Sequence, residues 1–144
     1  MSLRPGVVDA NVLVYSVNTW APQHSASRAL LDAARIGTVS LYVSSQILCE
    51  FYSIVTNPRR IFHPLSPQDA LNAVSDLIGF LRILPTSVPA VGSLLDLLRR
   101  VPVTGGDVFD LQIVATMKAN GVLTLYTFNV ADFQVFSELE VLTP

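Results

Sequence analysis

Apolar and polar positions alternate along this chain in two different patterns. Short apolar runs rich in β-branched residues are typical of strands buried on both faces, and they are separated by segments in which apolar residues recur at helical spacing. We predict strands at Gly6–Val8, Leu41–Val43, Ile83–Leu84, Leu123–Thr127 and Glu140–Leu142. Strands that alternate with helices predict an α/β fold, in which helices cover both faces of a mostly parallel sheet.

The predicted helices carry recognisable start and stop signals. Ser66-Pro67-Gln68-Asp69 is a strong start, because a capping serine precedes a proline at the first helical position and an acid in the first turn. Asn57-Pro58 and Gly121 are clear ends. The predicted helices cover about 24–35, about 45–56 with Ser44 or Ser45 as the cap, about 66–81, about 90–100, and about 108–120 with Asp107 as the cap.

Four acids interrupt apolar segments in which packing alone would have placed hydrophobic residues. Asp9 interrupts the apolar run 7–15, Glu50 lies between Cys49 and Phe51, Asp110 follows Phe109, and Asp132 comes directly before another apolar residue. A carboxylate on an apolar surface is costly unless a cation lies beside it, and this chain has few basic residues. Several such acids that converge on one point are typical of a divalent metal site.

The predicted fold can bring these acids together. Asp9 falls at the carboxyl end of the first strand, where parallel sheets form a crevice for their ligands. Asp110 shares a helix face with the apolar residues three, four and seven positions later, so it should point toward the sheet. Glu50 borders the apolar stripe of its own helix, and Asp132 follows the fourth strand after a short turn. We therefore expect all four acids at one edge of the sheet.

Each of these acids also has an ordinary structural alternative. Asp9 could be the N-cap of a short helix over 11–15, which is the commonest role for an aspartate before an apolar run. Glu50 could form a surface ion pair with Arg59 or Arg60. Asp132 could be an ordinary turn residue. Other acids have no such placement and are expected on solvated helix faces: Asp32, Asp69, Asp76 and Asp96.

Composition narrows the possible classes of protein. A chain of 144 residues is expected to form a single domain, over residues 1–144. Its hydrophobic fraction of 51% is high and its charged fraction of 14% is below the usual value of about 25%, so we expect a partner to cover apolar surface. No apolar stretch is long enough for a membrane span and the start lacks a signal-peptide core, which predicts a cytoplasmic protein without membrane contact.

The charge and the metal-binding residue types are also informative. A net charge of -2 argues against broad electrostatic binding to nucleic acid, so any such contact should be local. Cys49 lies in the apolar stripe of a predicted helix, so we expect it to be a core residue rather than a nucleophile. His24 and His63 make no metal-ligand spacing with it, which argues against zinc.

Four segments together resemble the successive motifs of PIN-domain nucleases, and the subgroup they resemble most is the VapC-type toxins of prokaryotic toxin-antitoxin pairs. The resemblance covers nearly the whole chain in the right order. It implies a PIN-like three-layer fold with a central, mostly parallel sheet. The segments are Val8-Asp9-Ala10-Asn11-Val12-Leu13-Val14-Tyr15, Val43–Tyr52, Val108–Met117 and Thr127-Phe128-Asn129-Val130-Ala131-Asp132-Phe133.

The resemblance also implies roles for particular residues. Asp9, Glu50 and Asp110 match the acids that bind Mg²⁺ or Mn²⁺ in the family. Asn129 stands where some relatives have an aspartate, so we assign the fourth carboxylate to Asp132. The small polar residues that support the site are then Asn11, Thr127 and Asn129.

Carboxylate oxygens without sulfur or imidazole select Mg²⁺ or Mn²⁺. A water activated by the metal would attack phosphorus in line and leave a 5′-phosphate, with Glu50 or Asp132 able to orient that water. A recessed crevice admits a flexible strand more easily than a duplex, which favours loops of structured RNA as the substrate. Arg59 and Arg60 are the candidates for phosphate contacts, unless they only form a solvated helix end.

We therefore expect an endoribonuclease that acts as a toxin, forms a homodimer and binds an antitoxin through an apolar groove. A haloacid-dehalogenase enzyme would need a second acid where Asn11 stands. A response-regulator receiver would need a lysine at a strand end, and the only lysine, Lys118, lies in a predicted helix. The remaining alternative is a non-catalytic PIN-fold module that binds protein or RNA.

Overall fold

Five short strands form one parallel sheet in the computed structural model, which describes residues 3–144. The strands are β1 Gly6–Val8, β2 Leu41–Ser44, β3 Arg82–Leu84, β4 Thr124–Tyr126 and β5 Glu140–Leu142. Their order across the sheet is β3-β2-β1-β4-β5, and every pair is parallel. The predicted α/β fold with helices around a parallel sheet is confirmed. The predicted fourth strand was longer than β4 by one residue at each end.

The central strand β1 is buried along its whole length. Val7 pairs with Tyr42 of β2 on one side and with Leu125 of β4 on the other. Strand order therefore reverses at β1, because the chain adds β2 and β3 on one side and β4 and β5 on the other. In open parallel sheets such a reversal opens a crevice at the carboxyl ends of the strands.

Helices connect all consecutive strands. They are α1 Ala10–Val17, α2 His24–Arg35, α3 Ser45–Val55, α4 Pro67–Ile78, α5 Val88–Arg100, α6 Val108–Asn120 and α7 Val130–Phe133, with a 3-10 turn at Gly105–Asp107. Helix α1 packs on α2 and α3, α3 packs on α4, and α5 packs on α6. With this strand order, crossovers of the usual right-handed kind put α1 to α4 on one face of the sheet and α5 to α7 on the other. Between residues 3 and 144 we find no helix with the length and apolarity that a bilayer crossing requires.

Four sequence predictions about these elements were wrong. Helix α4 ends at Ile78 rather than near Leu81, because Gly79 is its C-cap and Leu81 is buried in the turn that leads to β3. Asp132 follows β4 after a short turn but lies on the short helix α7, so the alternative in which it is an ordinary turn residue is wrong. The Asp107 side chain makes no capping hydrogen bond, because its backbone is already helical in the 3-10 turn that precedes α6.

The fourth error concerns Cys49, which is exposed rather than buried in the core. The buried line of α3 runs through Ile47, Phe51 and Val55, at a spacing of four residues. Cys49 lies two residues from Ile47, and two residues correspond to more than half a turn of a helix. Its side chain therefore points away from the core, and the apolar residues on several sides of α3 hid this direction in the sequence.

Gly6 allows β1 and β4 to approach closely. A Cβ at this position would lie 2.8 Å from the Thr124 carbonyl oxygen, which belongs to backbone and cannot move aside. We expect Gly6→Ala to lower the free energy of unfolding by about 1–3 kcal/mol, as overpacked core substitutions do. Gly92→Ala, in the exposed middle of α5 with open space around it, should instead raise it by about 0.5–1 kcal/mol. Urea unfolding of both variants checks the pair, and equal effects would contradict it.

Candidate active site

Asp9 is fixed at the point where β1 ends and α1 begins. Its backbone N–H donates to the Tyr126 carbonyl at 3.0 Å, which ties it to β4. Its Oδ1 accepts a hydrogen bond from the Ala10 N–H at 2.8 Å, so the residue is the N-cap of α1. The capping alternative and the position at the strand end are thus both correct. The residue is only 6% exposed.

The second carboxylate oxygen of Asp9 is held by two side chains. Oδ2 accepts from the Asn11 Nδ2 at 3.0 Å and from the Thr127 hydroxyl at 2.9 Å. Asn11 Oδ1 in turn accepts from the Phe128 N–H, and the Asn129 N–H donates to the Thr127 oxygen, both at 3.0 Å. Asn11 and Thr127 therefore orient Asp9 through their side chains, whereas Asn129 joins the same network through its backbone N–H.

Burial raises the pKa of Asp9, and the charge of Asp132 raises it further. The hydrogen bonds from Thr127, Ala10 and Asn11 act in the opposite direction, because they stabilise the ionised form. Three accepted hydrogen bonds leave the carboxylate with unused acceptor capacity, since an ionised carboxylate offers about four lone-pair sites. That capacity is what a cation at the crevice requires.

Glu50 is positioned by Gln46, one helical turn earlier on α3. Gln46 Nε2 donates to Glu50 Oε1 at 2.9 Å and to the Phe109 carbonyl of α6 at 2.8 Å, so it connects two walls of the crevice. Partial burial raises the pKa of Glu50, with a further contribution from the charge of Asp9. Sequence reasoning missed Gln46, although its spacing of four residues from Glu50 is the signal that could have identified it.

No ion pair of Glu50 with Arg59 or Arg60 forms within residues 3–144. The surface-pairing alternative for Glu50 is therefore wrong. Glu50 lines the crevice, and its hydrogen-bond donor is the neutral side-chain amide of Gln46 rather than a cation.

Asp110 is the acid most affected by its neighbours. Partial burial comes first among the causes that raise its pKa to about 6, followed by the charges of Asp9, Asp132, Glu50 and Asp107. The four predicted acids are thus close enough to repel one another. Asp132 is exposed and faces a smaller adjoining cavity, which it shares with Asp110, whereas Asn129 lies in the main cleft.

The main cleft has a volume of about 500 Å³. Its acidic end is formed by Asp9, Glu50 and Asp110, and it reaches Arg60 beyond the end of α3. Arg59 does not line it. The other lining residues are Ala10, Asn11, Gln46, Cys49, Ser53, Ile54, Phe109 and Asn129. The cleft therefore combines an acidic centre with a single cation at a distance from it.

The donor set suits a hard divalent cation. The carboxylates at the acidic end present oxygen, and within residues 3–144 none of Asp9, Glu50 and Asp110 forms an ion pair with a basic side chain. Within the described part of the chain no three such side chains are drawn together into a ready cage. Mg²⁺ does not need one, because it keeps several waters and is bound through one or two carboxylates. The residues therefore fit such an ion.

Comparison with known proteins agrees with this geometry. The family model of the PIN domain matches residues 6–138, and the chain belongs to this family. The curated ribonuclease VapC43 of Mycobacterium tuberculosis is 38% identical over 72 residues, and this match spans about half the length of both chains, 50% of this one and 49% of the relative. The resemblance to PIN-domain proteins of the VapC type is thus confirmed.

Solved structures show the same fold at low sequence identity. VapBC2 from Rickettsia felis, bound to a DNA fragment from its promoter, superimposes with a TM-score of 0.70 at 19% identity over 99% of both chains. VapC20 of Mycobacterium tuberculosis, a sarcin-ricin loop cleaving toxin, gives 0.67 at 16% identity over 90% of this chain and 94% of its own. A toxin-antitoxin complex from Klebsiella pneumoniae gives a TM-score of 0.63 at 18% identity over 96% of this chain and 97% of its own.

The raised pKa of Asp110 predicts a pH dependence of stability in the absence of metal. Because its folded-state pKa of about 6 exceeds the value of 3.8 for an unperturbed aspartate, the stabilising contribution is present below about pH 4 and lost as pH rises to about 6. In EDTA, Asp110→Asn should therefore lose less stability than the original chain over this interval. Urea unfolding across the pH series measures it.

Asp76→Asn is the matched control, because the hydrogen bond from Arg35 lowers the pKa of Asp76. The pH dependence that Asp76 gives to the free energy of unfolding has the opposite sign. Its stabilising contribution is present above the pKa of the unfolded state and is lost as the pH falls through the lower pKa of the folded state. Parallel pH profiles for Asp110→Asn and the original chain would contradict the assigned repulsion.

Proposed function

We propose that this chain is a Mg²⁺- or Mn²⁺-dependent endoribonuclease that cleaves single-stranded loops of structured RNA, and that it acts in the cytoplasm as the toxin of a prokaryotic toxin-antitoxin pair. The observation that carries the proposal is the meeting of Asp9, Glu50 and Asp110 at one cleft, from three different elements and without a neighbouring cation. Such an arrangement costs stability, so a binding role is its physical justification.

In this proposal Asp9, Glu50, Asp110 and Asp132 hold the cation. A bound divalent ion would lower the pKa of an attacking water and stabilise the charge that develops on the phosphate. The orientation of Asp9 comes from Asn11 and Thr127, whose hydrogen bonds fix one of its oxygens. Restricting a ligand in this way reduces the entropy lost when the site is filled.

Glu50 and Arg60 have complementary roles. Glu50 has one oxygen fixed by Gln46, and its other oxygen has two acceptor positions, which would serve the cation and the attacking water. Arg60 lines the same cleft and presents a cation to the phosphate backbone of the substrate. These roles correspond to hydrolysis that leaves a 5′-phosphate.

A single strand suits this cleft better than a duplex. Asp9 lies buried at a strand end with Glu50 and Asp110 beside it in the cleft, and the net charge of -2 offers little counterion release along a long duplex. The names of two similar proteins support an RNA substrate: one is called a ribonuclease and the other a sarcin-ricin loop cleaving toxin.

The proposed partners are a second copy and an antitoxin. Large apolar side chains are exposed along α4 and α5 and on the edge strand β3, at Leu71, Ile78, Ile83, Val88, Val91 and Leu95. Val88, Val91 and Leu95 follow each other at helical spacing, so they form one apolar stripe of α5. Similar folds occur in a toxin-antitoxin complex, which supports a partner of that kind.

The metal assignment predicts that Asp9→Asn abolishes cleavage while the fold persists, because asparagine is an equally good N-cap and the loss of one charge relieves repulsion among the acids, which offsets the hydrogen bonds lost at Oδ2. Total cellular RNA is incubated with the protein and Mg²⁺ or Mn²⁺, and new 5′ ends are mapped. Asp69→Asn, an exposed acid at the start of α4, is the control and should cleave normally. Equal cleavage by Asp9→Asn would contradict the proposal, as would preferred cleavage of duplex DNA. Calorimetric metal binding unchanged in Asp9→Asn and Asp110→Asn would also contradict the metal assignment.

Thr127→Val tests the support that Asp9 receives. The substitution keeps the shape of the buried side chain and removes the hydroxyl that donates to Asp9. We expect cleavage to fall by about 10- to 100-fold, as for other residues that orient metal ligands. The RNA affinity measured in EDTA should be unchanged. Full activity in this variant would show that the hydrogen bond does not position Asp9.

The exposed apolar stripe of α5 predicts association at micromolar concentration. Light scattering should give a dimer mass, and Val91→Glu should shift it toward a monomer because a charge cannot be desolvated in such an interface. Ile36→Glu, at an exposed apolar residue beyond α2, is the control. A monomer that also fails to bind the apolar dye ANS would contradict the expected partner surface.

A further inference from the structure

Three aromatic side chains line a further cavity, of about 350 Å³, separate from the two already described. Trp20 is 81% exposed and Phe62 is 90% exposed, and both lie next to His63. The ring centroids of Trp20 and His63 are 6.2 Å apart, and those of Phe62 and His63 are 4.7 Å apart at an interplanar angle of 84°. We call these three residues the aromatic cluster.

Ordered turns hold these rings outside the core. The Asn18 side chain accepts from the Trp20 N–H at 3.3 Å, and the Asn57 side chain accepts from the Arg59 N–H at 2.9 Å. Ile61, directly before Phe62, is buried and anchors the second turn. Aromatic side chains usually bury 150–250 Å² each, so two large rings fixed in solvent leave a strong capacity for stacking unused.

The topology places the aromatic cluster beyond the far end of the cleft. Helices α1 and α3 start at the carboxyl ends of neighbouring parallel strands and pack against each other, so their carboxyl ends lie on the same side of the molecule. Trp20 follows α1, and Phe62 and His63 follow α3. The cleft extends along α3 from Gln46 to Ile54, a rise of about 12 Å, and continues to Arg60.

Uncompensated positive charge lies at the same place. Six of the nine basic side chains form ion pairs with acids. Within residues 3–144, Arg59, Arg60 and Arg82 form none. Two of these three are consecutive residues in the turn that carries Phe62. Cations beside exposed aromatic rings complement the phosphates and the bases of one nucleic acid strand.

We propose that the aromatic cluster is a stacking subsite for an unpaired base of the RNA, and that Arg60 holds a phosphate between this base and the scissile bond. The inference rests on the proposed nuclease function, which brings an RNA strand into the cleft. A base in the aromatic cluster therefore belongs to a nucleotide that lies away from the scissile bond, with the cleft between them. Bases in a duplex are stacked on each other, so the subsite selects single-stranded RNA with little preference for sequence.

Trp20 is the only tryptophan in the chain, so its fluorescence reports directly on the aromatic cluster. Metal-free protein in EDTA is titrated with a short single-stranded oligoadenylate, which it cannot cleave under these conditions if the proposed function holds. We expect the base to quench Trp20. Polyphosphate, which carries charge without bases, should bind without quenching, and Arg60→Gln should weaken the binding of both probes.

Phe62→Ala keeps the reporter and removes a stacking surface. It should weaken oligoadenylate binding by at least about fivefold and leave polyphosphate binding unchanged. Ile36→Ala removes an equally exposed apolar side chain elsewhere and should change neither. Trp20→Ala, followed by filter binding, should lose affinity by a similar factor.

Either of two binding results would overturn the subsite. One is that oligoadenylate does not quench Trp20. This includes the case in which Trp20 emission changes only with protein concentration, which would mean that another protein molecule, rather than a base, covers the aromatic cluster. The other is equal RNA affinity of Phe62→Ala and Ile36→Ala. Because these measurements need no turnover, quenching without RNA cleavage would support the subsite while refuting the nuclease. Cleavage with an unchanged KM in Phe62→Ala would refute the subsite alone.

Discussion

The hydrogen bonds of the Asp9 carboxylate are the constraint on which the rest of this structure depends. One oxygen caps α1, and the other binds Thr127, the residue that directly follows β4. The same side chain therefore sets the direction of the first helix and joins the ends of two neighbouring strands. Because Asn11 and Asn129 are bound to the same network, the geometry of the carboxyl edge follows from one buried acid.

Electrostatic repulsion among the acids opposes the stabilisation that these hydrogen bonds provide. The hydrogen bonds stabilise the ionised form of Asp9, but burial and the charges of the other acids raise the pKa values of Asp9, Glu50 and Asp110. A core built only for stability would have used apolar residues at these positions. The acids persist next to a core that includes Val8, Leu13, Ile47 and Leu111, so the stability lost at the edge is offset by the apolar contacts behind it.

The sequence predicted most of the fold because the signals of its elements are local. The bounds of β1, α2 and β5 agree with the structure, since each has a clear run or stripe and a clear end. Helix α1 was considered only as the alternative role of Asp9. Val12, Leu13 and Val14 are all buried, so α1 is apolar on several sides and shows no helical period.

The rest of the site depends on contacts between distant residues. Thr127 lies 118 residues from Asp9, and Trp20 is far from His63 in sequence, so no local pattern links either pair. The acids themselves could be predicted because a charge inside an apolar run is anomalous by itself. The sequence analysis did not identify Gln46 and wrongly placed Cys49 in the core. Both errors arise because the direction of a side chain on α3 depends on which of the helix's several apolar residues face the core.

The chemistry and the outer part of the cleft occupy separate stretches of the chain. The acidic network belongs to strand ends and helices, whereas Trp20 belongs to the turn after α1, and Arg60 and Phe62 belong to the turn after α3, which the buried Ile61 anchors. Substitutions in those turns leave the sheet edge intact, because the exposed side chains contribute nothing to the core. The residues of the two turns can therefore change without altering the arrangement of the acids.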